Sequence, residues 1–187
     1  MSNDANYPVM PHILGKVRNL VDSYLDKHSK ALVTRLDIRY PQEHKNTQGN
    51  RDISQTMKLT MQELRRKGHD PKYGWVREQN NSDHQHYHVI ILQNGHKVQS
   101  PYTAQQTVAK HWGNTIGADP TGLVDHCDGS QEDPHENGKV ITRKEGIPEY
   151  VERQINYMAK PLGKGEPKDG IRDFGMSHIP AVPKKKN

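Results

Sequence analysis

The sequence has a single cysteine, Cys127, a single phenylalanine and no long run of apolar residues. One cysteine excludes a disulfide framework and a zinc site built from several thiolates, and it fits a reducing compartment. A membrane-spanning helix needs about 18 or more consecutive apolar residues, so none is predicted. Residues 1–7 lack the basic and apolar segments of a signal peptide. We therefore expect a cytoplasmic protein that does not enter a membrane.

Large apolar residues are also scarce, since Leu, Ile, Val and Phe make up about 18% of the chain, a level typical of disorder when net charge is high. The net charge is only +5 over 187 residues. We therefore predict one folded domain with a modest core over residues 1–160 and a loose basic tail over residues 161–187. A basic chain favours an acidic partner such as nucleic acid, but most of the positive excess lies in the tail.

The spacing of apolar residues predicts an alternation of helices and strands. The predicted helices cover residues 11–28, 53–67, 101–112 and 148–160, with Asp52 and Thr103 as N-terminal caps. The predicted strands cover residues 31–40, 73–79, 86–92, 121–126 and 140–142, and the second and third form a hairpin. This order favours an α+β fold with a mainly antiparallel sheet and helices packed on it.

Three histidines, His84, His86 and His88, alternate at and just before the start of the third predicted strand. Side chains at alternate positions project from one face of a strand, so the imidazoles can approach one divalent metal ion. In a chain with twelve histidines, an exposed polar strand face explains the pattern equally well.

An acidic residue on the neighbouring strand strengthens the metal interpretation. Glu78 precedes the hairpin turn, and cross-strand pairing can bring its carboxylate near His86 or His88. Two imidazoles and one carboxylate leave coordination positions for a substrate oxygen and water, as in a catalytic site.

The last predicted helix has an apolar stripe of Val151, Ile155 and Met158 and carries Tyr157 and Lys160 on a separate face. A tyrosine beside a lysine can act as a nucleophile, because the ammonium favours the phenolate or neutralises phosphate charge. The alternative is a tyrosine at the edge of the core.

Several segments together resemble known proteins. His86-Tyr87-His88 on a strand, Glu78 before it and a downstream Tyr157-Met158-Ala159-Lys160 helix are similar to the HUH endonucleases. SKALVTRLDIRYP, YGWVREQ, HYHVIIL, INYMAKP and RDFGMS more closely resemble the inovirus Gp2-type phage replication proteins, including the YagK/YfjJ group of prophage proteins.

This resemblance implies a ferredoxin-like or RRM-like antiparallel sheet and a rolling-circle replication initiator that nicks and rejoins single-stranded DNA. His86, His88 and Glu78 would hold Mg²⁺ or Mn²⁺. Tyr157 would attack the scissile phosphate and form a 5′-phosphotyrosine, with Lys160 beside the reacting phosphate. The expected partner is a replication origin, possibly a hairpin, in the cytoplasm of a bacterial host.

Further residues are candidate DNA contacts. Arg35 lies with Asp37 in a strand motif whose role is structural or DNA-contacting, and Arg153 lies on the tyrosine helix. The tail ends in Lys184, Lys185 and Lys186, which suit nonspecific phosphate contacts. Participation of Tyr150 and His84 stays open.

The sequence contains no phosphate-binding loop of the G-x-x-x-x-G-K-[ST] type. Duplex unwinding is therefore expected from a host helicase, with a host polymerase extending the free 3′-hydroxyl. The alternative function is that of a catalytically silent DNA-binding prophage regulator on the same fold.

Overall fold

The computed structural model describes residues 9–44, 49–79, 84–128, 136–160 and 171–179. These ranges form an α+β fold, as predicted from the sequence. The helices are α1 (Pro11–Lys27), α2 (Arg51–Arg66), α3 (Tyr102–Ile116) and α4 (Glu149–Met158). The strands are β1 (Lys30–Ile38), β2 (Lys72–Glu78), β3 (His86–Asn94), β4 (Val124–Asp125), β5 (Lys139–Thr142) and β6 (Phe174–Met176). None of the described helices has the length and apolar character required to span a bilayer.

The strands form one antiparallel sheet with the order β4-β1-β3-β2-β6, and β5 pairs with the start of β1 on the same edge as β4. β2 and β3 form the predicted hairpin, in which Glu78 pairs with His86. The predicted strand of residues 31–40 is central, because β1 has partners on both edges. In its ladder with β3, Asp37 lies opposite His88.

The helices cover the two faces of this sheet, and strand alternation divides the core between them. Apolar side chains of α1 and α4 pack with Val33, Val76 and Ile90 on one face. Apolar side chains of α2 and α3 pack with Leu36 and Tyr87 on the other. Because His88 lies between Tyr87 and Val89, its side chain projects toward the face that carries α1 and α4.

Both predicted helix caps are wrong. Helix α2 follows Asn50, and Asp52 lies in its first turn, where the carboxylate accepts a hydrogen bond from the Tyr40 hydroxyl over 3.0 Å. Helix α3 follows Pro101, which makes no side-chain cap, and Thr103 lies inside the helix. The backbone torsion of Pro101 already suits a helix, so the helix begins before the threonine.

Part of the segment predicted to be a loose tail forms the edge strand β6. Phe174 pairs with Val76 and Met176 with Gly74, and the backbone N–H of Ser177 donates to the carbonyl of Tyr73 over 2.8 Å. Apolar contacts of Phe174 and Met176 with the core hold this strand against β2. Residues 161–170 and 180–187, which include the three terminal lysines, lie outside the described residues.

β6 approaches Trp75 so closely that the position of Gly175 has no room for a side chain. A Cβ atom at Gly175 would lie 2.5 Å from the Trp75 ring. We expect the Gly175→Ala variant to lower the free energy of unfolding by about 1–3 kcal/mol, because the buried indole must shift. Urea denaturation measures this change.

Gly15 provides the control, since it lies within α1 and a Cβ there has no neighbour within 4 Å. The Gly15→Ala variant should gain about 0.5–1 kcal/mol from reduced backbone entropy of the unfolded chain. Equal stability of Gly175→Ala and the wild type would contradict the predicted packing.

Candidate functional site

Three potential metal ligands meet where β2 and β3 run side by side. The Glu78 Oε2 atom lies 2.7 Å from His88 Nε2 and 3.6 Å from His86 Nε2. One ligand atom from each of the three residues lies within 4.8 Å of the other two. Imidazole nitrogen and carboxylate oxygen both coordinate divalent ions. The group predicted from the sequence is therefore assembled and could hold a metal ion.

A second carboxylate orients one of these ligands. The Asp37 Oδ1 atom lies 2.6 Å from Nδ1 of His88, whose side chain is only 1% exposed. A carboxylate on the far nitrogen of a histidine fixes its ring and tautomer and leaves the near nitrogen for a metal. Asp37 therefore supports the site from β1.

The buried charges of this network stabilise one another. Burial raises the pKa of Asp37, but the hydrogen bond from His88 and the charge of Arg35 outweigh it and hold that pKa well below its usual range. Burial lowers the pKa of His88, but the neighbouring Asp37 and Glu78 raise it above its usual value. Asp37 therefore stays ionised beside a histidine that two carboxylates contact.

Helix α4 places Tyr157 beside the metal group. The buried stripe of Val151, Ile155 and Met158 fixes one face of the helix against the core. Tyr157 lies outside this stripe, 37% exposed, and its ring centroid is 5.1 Å from that of His88 in an edge-on arrangement. Lys160 Nζ lies 5.6 Å from the Tyr157 ring centroid. The predicted helix to residue 160 is two residues too long, because α4 ends at Met158, but the Lys160 ammonium still lies beside the Tyr157 ring.

Arg35 lies between Tyr157 and Asp37 and contacts both. Its side chain is buried, and Nη2 donates to both Asp37 carboxylate oxygens, over 3.1 and 3.2 Å. The guanidinium carbon lies 4.1 Å from the Tyr157 ring centroid, a cation–π distance. Burial raises the pKa of Tyr157, and the charge of Arg35 acts against that effect. Arg35 thus has a structural role in contacts with Asp37 and Tyr157. Its contact with DNA stays a prediction.

Sequence reasoning missed Asn137, which holds the backbone of Arg35. On the outer edge of β1, pairing with β5 ends at Val33 and pairing with β4 begins at Asp37. In this gap the Asn137 carboxamide accepts from the Arg35 N–H and donates to the Arg35 carbonyl, both over 2.8 Å. The side chain therefore replaces a missing strand partner.

The segment before β5 that contains Glu136 and Asn137, here called the Asn137 loop, is connected to α4. The Gln154 side chain donates to the carbonyl of Glu136 over 2.7 Å, so contacts run from the tyrosine helix through the loop to β1. The only local signal was Asn137-Gly138 before a short strand, a pair typical of turns. Its partner Arg35 lies 102 positions away, beyond the reach of local patterns.

The Asn137→Ala variant tests this contact. It leaves a buried N–H and carbonyl of Arg35 without their partners, so we expect a loss of about 1–3 kcal/mol in the free energy of unfolding. The Asn137→Asp variant keeps the acceptor but places an oxygen against the Arg35 carbonyl, so it should also be less stable than the wild type. Chemical denaturation measures both, with the exposed Asn114→Ala on α3 as control. An Asn137→Ala variant as stable as this control would contradict the role of the carboxamide.

Three other predicted participants have contacts with residues outside the metal group. The His84 ring nitrogen lies 3.1 Å from the Gln42 carbonyl oxygen. Tyr150 is half-buried against the core. Arg153 is exposed on α4, with Nη1 3.3 Å from Glu149 Oε1. Lys184, Lys185 and Lys186 lie outside the described residues.

Comparison with protein-family models relates the chain to one family. The model of the YagK/YfjJ C-terminal domain matches residues 2–177. The chain belongs to this family. The match to the YagK/YfjJ domain includes β1, β2, β3 and α4, which carry the site, and the edge strand β6. No curated protein and no solved structure matches the chain.

Proposed function

We propose that this YagK/YfjJ domain is an HUH-type nuclease that nicks and rejoins single-stranded DNA and initiates rolling-circle replication of a phage or prophage element. One observation carries the proposal: Tyr157 lies over a group of two histidines and a glutamate that could hold a metal ion. A nucleophile beside an open metal group suits phosphoryl transfer. The similarity of the quoted segments to Gp2-type replication proteins supports the choice of DNA as substrate.

The proposed reaction is a transesterification at phosphorus. A divalent ion such as Mg²⁺ or Mn²⁺, held by His86, His88 and Glu78, would polarise the scissile phosphate. The Tyr157 oxygen forms a bond to phosphorus as the bond to the 3′-oxygen breaks. The phenol loses its proton to solvent and the 3′-oxygen gains one, which leaves a 5′-phosphotyrosine and a free 3′-hydroxyl. Attack by a 3′-hydroxyl reverses the step and rejoins the strand.

The neighbouring side chains prepare Tyr157 for this step. The cationic group of Arg35 lies against the ring and limits its movement. The Lys160 ammonium, just after the end of α4, adds positive charge beside the proposed position of the reacting phosphate. Arg35, Arg153 and the three terminal lysines are proposed further DNA contacts, and a host helicase and polymerase are the proposed partners in the bacterial cytoplasm.

A covalent-adduct assay tests the proposal. The full chain is incubated with labelled single-stranded DNA from the element that encodes it, with Mn²⁺ or with EDTA, and separated under denaturing conditions. We expect a protein–DNA adduct with Mn²⁺ and none with EDTA. If DNA that binds tightly gives no adduct with Mn²⁺, the nuclease function is wrong and the DNA-binding regulator remains.

A further inference from the structure

A small aromatic and basic cluster lies on the same sheet face as the metal group. Phe174 on β6 pairs with Val76 on β2, and Val76 pairs with His88 on β3. Directly paired residues project to the same face of a sheet. Phe174 therefore lies in the same cross-strand row as His88, two strands away, or about 10 Å at the usual strand spacing.

Helix α1 adds two exposed side chains to this aromatic ring. Lys16 Nζ lies 5.4 Å from the Phe174 ring centroid, and the His12 ring centroid lies 6.0 Å from it, tilted by 55°. His12 and Lys16 are four residues apart on one helix face, and Phe174 is partly exposed. The cluster thus combines two aromatic rings with an ammonium group at the protein surface.

This cluster borders the end of the tyrosine helix. The backbone N–H of Met10, just before α1, donates to the carbonyl of Ala159 over 2.7 Å. Ala159 lies between Met158 and Lys160, so the start of α1 adjoins the Tyr157 and Lys160 end of α4. A single-stranded DNA bound at the metal group can therefore continue over His12 and Phe174.

The neighbours of Phe174 set it apart from the next residue on the same face of β6. Phe174 and Met176 both pack against the core on the α1 side of the sheet, and the Phe174 ring in addition contacts Lys16 and His12. Proteins that bind single-stranded nucleic acid combine aromatic side chains, on which bases stack, with cationic side chains along the backbone. Both components occur together at Phe174, His12 and Lys16.

We propose that Phe174, His12 and Lys16 form a nucleotide subsite that continues the single-stranded DNA path away from the metal group. One base stacks on the Phe174 and His12 rings, and the Lys16 ammonium binds the adjoining phosphate. This subsite rests on the proposed function for the identity of its ligand. Because it needs stacking and charge only, it operates without metal and without cleavage.

Affinity for a labelled thymidine oligonucleotide of about 15 nucleotides, within the usual range of single-strand site sizes, tests the subsite. Fluorescence anisotropy measures this affinity. EDTA is present, so that no metal-dependent cleavage occurs. The Phe174→Leu variant should weaken binding about 5- to 100-fold, as loss of one stacked base does. The Phe174→Trp variant should bind like the wild type, because it keeps a ring.

A second variant tests the charge. Lys16→Gln should weaken binding and reduce the slope of log affinity against log salt by about 0.7, the value for one lost single-strand phosphate contact. The control is Tyr102→Leu, which removes a 65% exposed aromatic ring from α3, a helix of the opposite sheet face. This control should leave both affinity and slope unchanged.

Wild-type affinity in the Phe174→Leu variant, or equal losses in Phe174→Leu and Phe174→Trp, would overturn the subsite. If Phe174→Leu does not fold by circular dichroism, unchanged affinity and salt slope in Lys16→Gln overturn it. The adduct assay separates the two proposals. If the wild-type protein binds the thymidine oligonucleotide through Phe174 but forms no adduct with DNA of the encoding element, the nuclease is refuted. If the adduct forms and Phe174→Leu binds the oligonucleotide like the wild type, only the subsite is refuted.

Discussion

The Tyr157→Phe variant is expected to form no covalent adduct with single-stranded DNA, and cleavage should fall by at least about 10⁴-fold, as when other catalytic nucleophiles are removed. The change deletes only the hydroxyl. The remaining ring can keep its contacts with His88 and Arg35, 5.1 and 4.1 Å away. DNA affinity and Mn²⁺ affinity should therefore stay at the wild-type level. Denaturing gels measure the adduct, and anisotropy measures binding.

The Tyr102→Phe variant is the matched control, because it removes the hydroxyl group of a tyrosine on α3. It should form as much adduct as the wild type. An adduct that persists in Tyr157→Phe would show that another residue is the nucleophile. The Tyr150→Phe variant then decides whether the second tyrosine of α4 takes that role.

The His86→Ala variant is expected to lose metal binding while the fold is kept. The His86 side chain is 26% exposed. The substitution removes one of the three potential metal ligands. Loss of a residue that merely orients a ligand costs about 10- to 100-fold in metal affinity, so loss of a ligand should cost at least about 100-fold. Titration calorimetry with Mn²⁺ measures this change, and strand cleavage should disappear with it.

His86 is a better test than His88. The His88 ring is buried between Asp37 and Glu78, and its removal would break its contacts with both carboxylates in a buried network, at a cost of about 3–5 kcal/mol. A loss of activity in His88→Ala would therefore mix unfolding with loss of metal. Oligonucleotide affinity measured with EDTA should be unchanged in His86→Ala, since this binding needs no metal.

The exposed His96→Ala variant is the control for His86→Ala. His96 lies in the turn after β3, where its ring nitrogen is 2.9 Å from Ser29 Oγ. Its removal should leave Mn²⁺ affinity at the wild-type value. If His86→Ala binds Mn²⁺ as tightly as His96→Ala does, His86 is not a ligand and the metal group is wrong.

The local elements of the site follow from sequence patterns. Alternation places His86 and His88 on one face of β3, and the hairpin brings Glu78 opposite His86. Helical periodicity puts Tyr157 outside the buried stripe of α4. Each of these features depends on residues within about one hairpin or one helix, where backbone geometry fixes the spacing.

The caps and the edge strand show where such patterns fail. Asp52 is a good cap by residue type, but the Tyr40 hydroxyl contacts its carboxylate and α2 begins one residue earlier. Phe174 and Met176 lie in a segment rich in glycine, proline and lysine, so composition predicts a tail. Their pairing with β2 supplies backbone hydrogen bonds and core contacts that composition does not describe.

By itself, the sequence determined the α+β class, the hairpin that carries Glu78, His86 and His88, and the exposed face of the tyrosine helix. Only the tertiary structure decided that Asp37 orients His88, that Arg35 lies under Tyr157, that Asn137 holds Arg35, and that Phe174 shares a row with His88. These contacts join residues on different strands, helices and loops. Their partners are set by strand order and by the sheet face that each helix covers, and both depend on burial of the whole core.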